Sequence, residues 1–250
     1  MVPGEHIAMM QPEHGHSGDF GRTQWSMVQR LKDPRSEAAH HALAGLAVRY
    51  WYPVYAYVRR CGHAPAIAQD ITRSFLQQVA ADFRGDKDAP VGRFRDWLLQ
   101  RLNAFLAGDW QDLVVGEAFP SAPRLEDLER RNAGDHATND SPDQVFQRSF
   151  ALEILANGFK ALRTEASQTG HLDMYEALEP FLVREPAPGQ YVELGKALGV
   201  RPLALVLALK RLRQRFRELV SRELADIVAS PDDLSAEQRS LFATLHGRGL

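Results

Sequence analysis

The chain has 250 residues, of which 44% are hydrophobic and 25% are charged, and its formal net charge is -2 at pH 7. These values are ordinary for a globular protein, and the length suits one large domain or two small ones. Cys61 is the single cysteine, which excludes an intramolecular disulfide and favours the reducing cytoplasm. No apolar run approaches the roughly 20 residues that span a bilayer, so we expect no membrane association.

The N-terminal segment is polar and weakly patterned. Residues 1–22 lack a basic start followed by an apolar core, so we expect a disordered extension rather than a secretory signal.

Helical periodicity dominates the rest of the chain, which predicts an all-α fold. Ser141, Pro142 and Asp143 form a helix-start signal. The apolar residues of the helix that follows are spaced to make one face: Phe146, Phe150, Ile154, Leu155, Phe159 and Leu162. The predicted helices cover about 24–32, 36–60, 65–82, 93–110, 143–167, 171–183, 190–198, 202–228 and 235–245.

The composition changes between residues 114 and 141, where Pro, Gly, Ala and acids dominate and periodicity is weak. This pattern predicts a flexible, acidic linker with one short helix near 125–131. The linker divides the chain into a helical domain at 23–113 and a second one at 142–228, followed by a tail at 229–250.

Five aromatic residues crowd one predicted helix beside Arg59 and Arg60: Tyr50, Trp51, Tyr52, Tyr55 and Tyr57. Two interpretations are open. The rings either form the core of a bundle or provide a platform on which nucleic-acid bases stack.

The segment "YVELGKALGVRPLALVLALKRLRQRF" has the layout of a helix-turn-helix. Gly199 suits the turn, because glycine adopts a left-handed backbone at little cost. Gly195 permits a close approach of the two helices, and Pro202 is tolerated in a first helical turn. In this motif the second helix enters the major groove of DNA.

The second helix has two distinct faces. Apolar residues at helical spacing predict a buried stripe: Leu205, Leu209, Leu212, Phe216 and Leu219. Another face is cationic, with Lys210, Arg213 and Arg217 flanked by Arg211 and Arg215. Residues 191–224 contain eight basic and three acidic residues. This local excess indicates either an ordinary solvated face or a surface for DNA phosphates.

The start of this helix is apolar. Leu203, Val206 and Leu207 cannot donate hydrogen bonds to base edges, although they can touch a thymine methyl group. The helix is therefore better suited to holding the DNA backbone than to reading its sequence. Alternatively, its apolar start docks on a protein.

Metal binding and catalysis are not expected. His14 and His16 lie in the N-terminal extension, and the adjacent His40 and His41 diverge by about 100 degrees on a helix. The sequence has no glycine-rich phosphate loop and no nucleophile motif, so we expect neither an enzyme nor a cofactor.

Three stretches in a fixed order carry a family resemblance. They are "RYWYPVYAYVRRCGH", "AQDITRSFLQQV" with "GRFRDWLLQRLNAFLAGDW", and "YVELGKALGV" with "LALKRLRQRFREL". Over about residues 25–222 the chain resembles the extracytoplasmic-function (ECF) sigma factors, the promoter-recognition subunits of bacterial RNA polymerase.

The resemblance implies binding of core RNA polymerase and promoter DNA. It assigns polymerase binding to the helix at 68–79, through Asp70, Ile71, Thr72 and Phe75. It assigns the opened −10 strand to Arg93, Arg95, Trp97, Arg101 and Asn103, although Trp97 is equally suited to a core position. It assigns the −35 duplex to Arg201, Lys210, Arg211, Arg213 and Arg217.

The sequence also departs from the family pattern. The polymerase-binding helix retains Asp70 but lacks the further acids usual in the family, and "GDWQDLVVGEAF" lacks the usual basic run after the −10 helix. One explanation is a conditional sigma factor in which a Ser/Thr kinase restores negative charge at Thr72, or which an inhibitory partner controls. The other is a degenerate sigma-like protein that binds proteins without initiating transcription.

Overall fold

The computed structural model describes residues 37–84, 94–108, 121–135, 139–225 and 231–246. Within these ranges the fold is entirely helical, as the sequence predicts. The described α-helices are α1 (Glu37–Arg60), α2 (Pro65–Arg84), α3 (Phe94–Leu106), α4 (Leu125–Asp135), α5 (Pro142–Gln168), α6 (Leu172–Leu178), α7 (Gln190–Leu198), α8 (Pro202–Ala225) and α9 (Pro231–His246). No described helix is both long enough and apolar enough to cross a membrane. The predicted extension at 1–22 and the predicted helix at 24–32 lie outside the described residues.

Helix α5 lies at the centre of the fold and packs against α1, α6, α8 and α9. It begins with a capping box, in which the Ser141 hydroxyl accepts from the Gln144 backbone N–H and the Gln144 side chain accepts from the Ser141 backbone N–H. The helix buries residues on more than one side, because different partners cover it around its circumference.

The aromatic cluster of α1 forms the interior of the N-terminal half. All five predicted rings are buried, namely Tyr50, Trp51, Tyr52, Tyr55 and Tyr57. Tyr50 stacks on Phe150 of α5, with 5.6 Å between ring centroids. The rings therefore contribute apolar burial to the core, and the core interpretation of this stretch is confirmed.

Two independently packed domains are not confirmed. The buried apolar residues form one cluster that runs from α1 through α5 to α8 and α9. Arg49 of α1 also pairs with Glu223 of α8, with Nε 3.0 Å from Oε2. The two halves predicted from the sequence therefore share a core.

The predicted linker contains a helix that packs on the N-terminal half. Helix α4 contacts α1 and α2, and its Leu128 is buried in the core. Arg59 donates to both carboxylate oxygens of Glu129, at 2.8 and 2.9 Å, and the Tyr55 hydroxyl donates to the same group at 2.6 Å. The acidic composition of residues 114–141 predicted a flexible linker exposed to solvent. In the structure, Glu129 of this segment instead binds Arg59 of α1.

Helices α7 and α8 pack against each other across a tight turn. Gly199 ends α7 with φ at 66°, in the left-handed region that glycine adopts at little cost. A Cβ at Gly195 would lie 2.7 Å from the Val200 carbonyl oxygen, so only glycine allows this close approach. The geometry brings Pro202, at the start of α8, against the buried Gly195 of α7.

Candidate nucleic-acid interface

Three predicted DNA-contacting cations are exposed at the protein surface. Arg201, Lys210 and Arg211 are exposed, and no described residue forms a hydrogen bond or an ion pair with their side chains. Arg217 is also exposed, and its guanidinium donates to the Gln214 amide oxygen at 2.8 Å. These four side chains leave positive charge at the surface of α8, where an anionic partner would gain the most from contact.

Arg213 differs from this prediction, because its guanidinium is already bound inside the protein. It donates to the Phe181 carbonyl oxygen from Nε at 3.1 Å and from Nη2 at 2.8 Å. It also donates to the Arg184 carbonyl at 2.8 Å and to the Glu185 carboxylate at 2.7 Å. The helical spacing predicted that Arg213 lies on the cationic face of α8. In the structure, the carbonyl groups that follow α6 lie against that part of the face and bind the guanidinium. Its role in this structure is to hold that segment against α8.

Arg215 is likewise neutralised within the chain. It binds the Glu165 carboxylate of α5 with two hydrogen bonds of 2.8 and 2.6 Å, and it contacts Glu218 at 3.1 Å. The hydrogen bonds from Arg215 hold the pKa of Glu165 below its usual range. The local charge excess counted from the sequence is therefore smaller at the surface, and it is concentrated near the start and middle of α8.

The start of α8 presents apolar side chains to solvent. Leu203, Val206 and Leu207 are 69%, 41% and 49% exposed, although helices normally bury such residues. They lie on the first turns of α8, between Arg201, which directly precedes the helix, and Lys210 and Arg211, which are on it. We call this surface, defined by these three apolar and three cationic residues, the α8 patch.

The predicted −10 residues occupy different environments on α3. Arg93 lies outside the described residues. Arg95 is 1% exposed and pairs with Glu237 of α9, with Nη2 3.1 Å from Oε2. Its side chain therefore cannot reach a DNA strand in this conformation, and its assignment to the −10 strand stays a prediction. The side chain is inaccessible because α9 covers it.

Trp97 is partly buried and packs against the core. Its ring centroid lies 5.5 Å from that of Phe94, and the Arg101 guanidinium lies over the ring at 5.8 Å. Arg101 also forms an ion pair with Asp82 of α2. Trp97 therefore contributes to the core while part of its surface stays accessible, and its assignment to the −10 strand stays a prediction.

Asn103 is exposed near the end of α3, and its Oδ1 accepts a hydrogen bond from the Tyr57 hydroxyl. Burial raises the pKa of Tyr57 to about 12, so this hydroxyl remains a donor at neutral pH. Asn103 therefore has a fixed orientation, with its side chain at the protein surface.

The predicted polymerase-binding residues divide by exposure. Asp70 is exposed, and no described residue forms an ion pair with it. Ile71, Thr72 and Phe75 are buried, since they form the inner face of α2. Only Asp70 of the four is therefore placed to meet a partner, together with its exposed neighbour Ile67.

Thr72 is not placed for phosphorylation. Its side chain is 0% exposed, and its hydroxyl donates to the Ala68 carbonyl oxygen at 2.7 Å. A kinase needs an accessible hydroxyl, so the phosphorylation site predicted at Thr72 is wrong for this conformation. The sequence did not reveal this, because threonine is a polar residue that is usually exposed, whereas position 72 lies on the buried face of α2.

No group of three or more potential metal-ligating side chains occurs in the part of the chain that the structure describes. His14 and His16 lie outside that part, as do the side chains of His40 and His41.

Comparison of the chain with protein-family models, with curated proteins and with solved structures finds no match in any of the three.

Proposed function

We propose that the protein is an ECF-type sigma factor of the cytoplasm, which binds core RNA polymerase and directs initiation at a subset of promoters. The observation that carries this proposal is the set of exposed cations at the Gly199 turn and on the helix that follows it, namely Arg201 in the turn and Lys210, Arg211 and Arg217 on α8. This is where a helix-turn-helix holds duplex DNA.

In this proposal α7 and α8 form the helix-turn-helix that binds the −35 element. Lys210, Arg211 and Arg217 contact backbone phosphates, and Arg201 contacts them from the turn. Because Leu203, Val206 and Leu207 cannot donate hydrogen bonds, α8 contributes affinity more than sequence readout. Sequence preference then depends on the shape of the duplex and on contacts with thymine methyl groups.

The N-terminal half supplies the contacts with polymerase and with the opened −10 strand. Asp70 is exposed on α2 and offers a negative charge to a basic polymerase surface. On α3, the accessible part of Trp97 stacks on an unpaired base, while Arg101 and Asn103 lie on the same helix to bind the strand. These roles match the resemblance read from the sequence.

A pull-down with purified core RNA polymerase and a run-off transcription assay test the proposal. We expect the full-length protein to co-elute with core polymerase and to support promoter-dependent transcripts. Asp70→Lys should weaken co-elution, whereas Asp173→Lys, which changes an exposed acid on α6 by the same charge, should not. Absence of both co-elution and transcripts from the wild-type protein would contradict the proposal.

A second function is favoured by the exposure of Leu203, Val206 and Leu207. In this alternative the chain is a sigma-like module that binds another protein through the α8 patch and does not initiate transcription. Apolar side chains with a cationic border suit an amphipathic, acidic segment of a partner. The Leu203→Ser/Leu207→Ser variant separates the two: it should retain duplex binding if DNA is the ligand, because neither serine removes a cation. If a protein is the ligand, the same variant should lose partner binding, and the wild-type protein should give no transcript.

A further inference from the structure

Helix α9 covers a cation on the helix that carries the proposed single-strand contacts. Nη2 of Arg95 donates to Glu237 Oε2 and to Ser240 Oγ, both at 3.1 Å. The Arg95 guanidinium also lies over the Phe150 ring, 5.0 Å from its centroid. The side chains of Arg95 and Glu237 are each only 2% exposed. A basic residue of the N-terminal half is thus enclosed by a helix from the other end of the chain.

Burying Arg95 in this way reduces the stability of the closed arrangement. Nε and Nη1 of Arg95 are buried, and neither has a hydrogen-bond partner among the described residues. A buried arginine with unsatisfied donors stabilises a fold less than an apolar side chain of similar volume would. Packing within the closed arrangement therefore does not explain an arginine at this position.

A state in which α9 has moved away would uncover Arg95 on the side of α3 that α9 now occupies. Trp97, two residues later and partly accessible, lies on a different side of the same helix, so a strand would have to pass around α3 to contact both. A guanidinium donates its N–H groups to carboxylates and phosphates alike, and Nη2 is the donor that binds Glu237 here. The Glu237 carboxylate therefore occupies a position that a phosphate of a bound strand can take.

We propose that α9 is an intramolecular latch over a nucleic-acid site on α3, with Glu237 in the place of a backbone phosphate of an unpaired DNA strand. This inference deepens the proposed function and rests on it. The latch packs against α5 and α8: Leu241 is buried in the core, and the Gln238 amide donates to the Ser221 hydroxyl at 2.8 Å. The apparent affinity for a strand is the affinity of the open state multiplied by the fraction of molecules in which the latch is open.

Full-length Glu237→Arg is the test variant, because its new charge repels Arg95 and releases α9. Asp173→Arg makes the same charge change at an exposed position on α6 and serves as the matched control. Glu237→Gln, which keeps the side-chain size, is a milder version for use if the arginine variant folds poorly. Hydrogen exchange of residues 231–246 measures release, and fluorescence anisotropy with a labelled single-stranded DNA of about 12 nucleotides measures binding.

We expect Glu237→Arg to raise exchange across residues 231–246 and to tighten single-strand binding about tenfold or more. The Asp173→Arg control should leave that exchange unchanged and tighten binding by less than about threefold through its added charge. Adding Arg95→Met to Glu237→Arg should abolish the gain.

Three results would each overturn the latch. They are unchanged exchange in both Glu237 variants, faster exchange with no more gain in binding than the control, and a gain that persists with Arg95→Met. These outcomes are independent of the polymerase pull-down. If the protein supports transcription but the Glu237 variants have no effect, only the latch proposal is contradicted. If the protein does not bind polymerase but the Glu237 variants bind a strand more tightly, only the sigma-factor proposal is contradicted.

Discussion

Arg49 on α1 and Glu223 on α8 form an ion pair across the two halves of the protein, with Nε 3.0 Å from Oε2. The two residues are 174 positions apart in the sequence. Both side chains are shielded from solvent over most of their surface, so this pair is better protected from screening than an exposed one.

A double-mutant cycle with Arg49→Met and Glu223→Gln should give a coupling energy of about 1 kcal/mol in urea unfolding. The exposed pair Arg163–Glu176 is the matched control, and its coupling should stay below about 0.5 kcal/mol. Equal coupling in the two cycles would show that the Arg49–Glu223 contact does not join the halves in solution.

Lys210→Ala and Arg211→Ala should each weaken duplex DNA binding and lower the salt dependence of log K by about one unit. Arg213→Ala should leave that slope unchanged, because its guanidinium is bound to main-chain carbonyls, and should instead lower stability by about 1–3 kcal/mol. Binding titrations at several salt concentrations and thermal unfolding measure both effects. If Arg213→Ala lowers the salt dependence of log K and leaves stability unchanged, Arg213 contacts DNA and not the carbonyl groups after α6.

Thr72→Glu should destabilise the protein by about 3 kcal/mol or more, because it places a carboxylate in the core. Thr72→Val, which removes only the hydrogen bond to Ala68, should cost about 1 kcal/mol. Gln78→Glu adds the same charge at an exposed position on α2 and should change stability little. Thermal unfolding measures all three. Wild-type stability of Thr72→Glu, together with tighter polymerase binding, would restore Thr72 as a regulatory site.

Gly195→Ala should destabilise the α7–α8 pair, because its Cβ would press on the Val200 carbonyl oxygen, which belongs to the rigid backbone of the turn. We expect a loss of about 1–3 kcal/mol and weaker duplex binding. Gly134→Ala in α4 is the control: a Cβ added there would meet no atom within 4 Å, so alanine should stabilise that helix by up to about 1 kcal/mol. If Gly195→Ala leaves the free energy of unfolding in denaturant unchanged, α7 and α8 do not approach each other this closely.

Stability should fall in acid partly through Glu129. Hydrogen bonds from Arg59 hold the pKa of Glu129 below its usual value, against the opposing effect of burial. A lowered folded-state pKa stabilises the fold above the unfolded pKa of about 4.3, and this contribution is lost as pH falls through the folded value. Between about pH 5 and about pH 3, Glu129→Gln should therefore lose less stability than the wild type in urea unfolding. A Glu129→Gln curve parallel to the wild-type curve would contradict the assignment.

The local features of the fold were predictable from the sequence, because they depend on near neighbours. Ser141 and Pro142 marked the start of α5, and Gly199 marked the turn before α8. The long-range partners were not predictable, since no spacing rule links Arg95 to Glu237 or Arg49 to Glu223. Arg213 illustrates the limit for the candidate site: helical spacing gave its direction correctly, but it could not reveal that the carbonyl groups after α6 lie in that direction.

The central place of α5 has a consequence for dissecting the protein into pieces. Its Phe150 ring covers Tyr50 of α1, and its Gly158 backbone lies against Phe216 of α8. A fragment ending before α5 would leave the tyrosine-rich surface of α1 without its cover and prone to aggregation, and the complementary fragment would expose the opposite flank of α5. Heat or denaturant should consequently melt both halves in one cooperative transition, and co-expressed fragments should be recovered only as a reassembled pair.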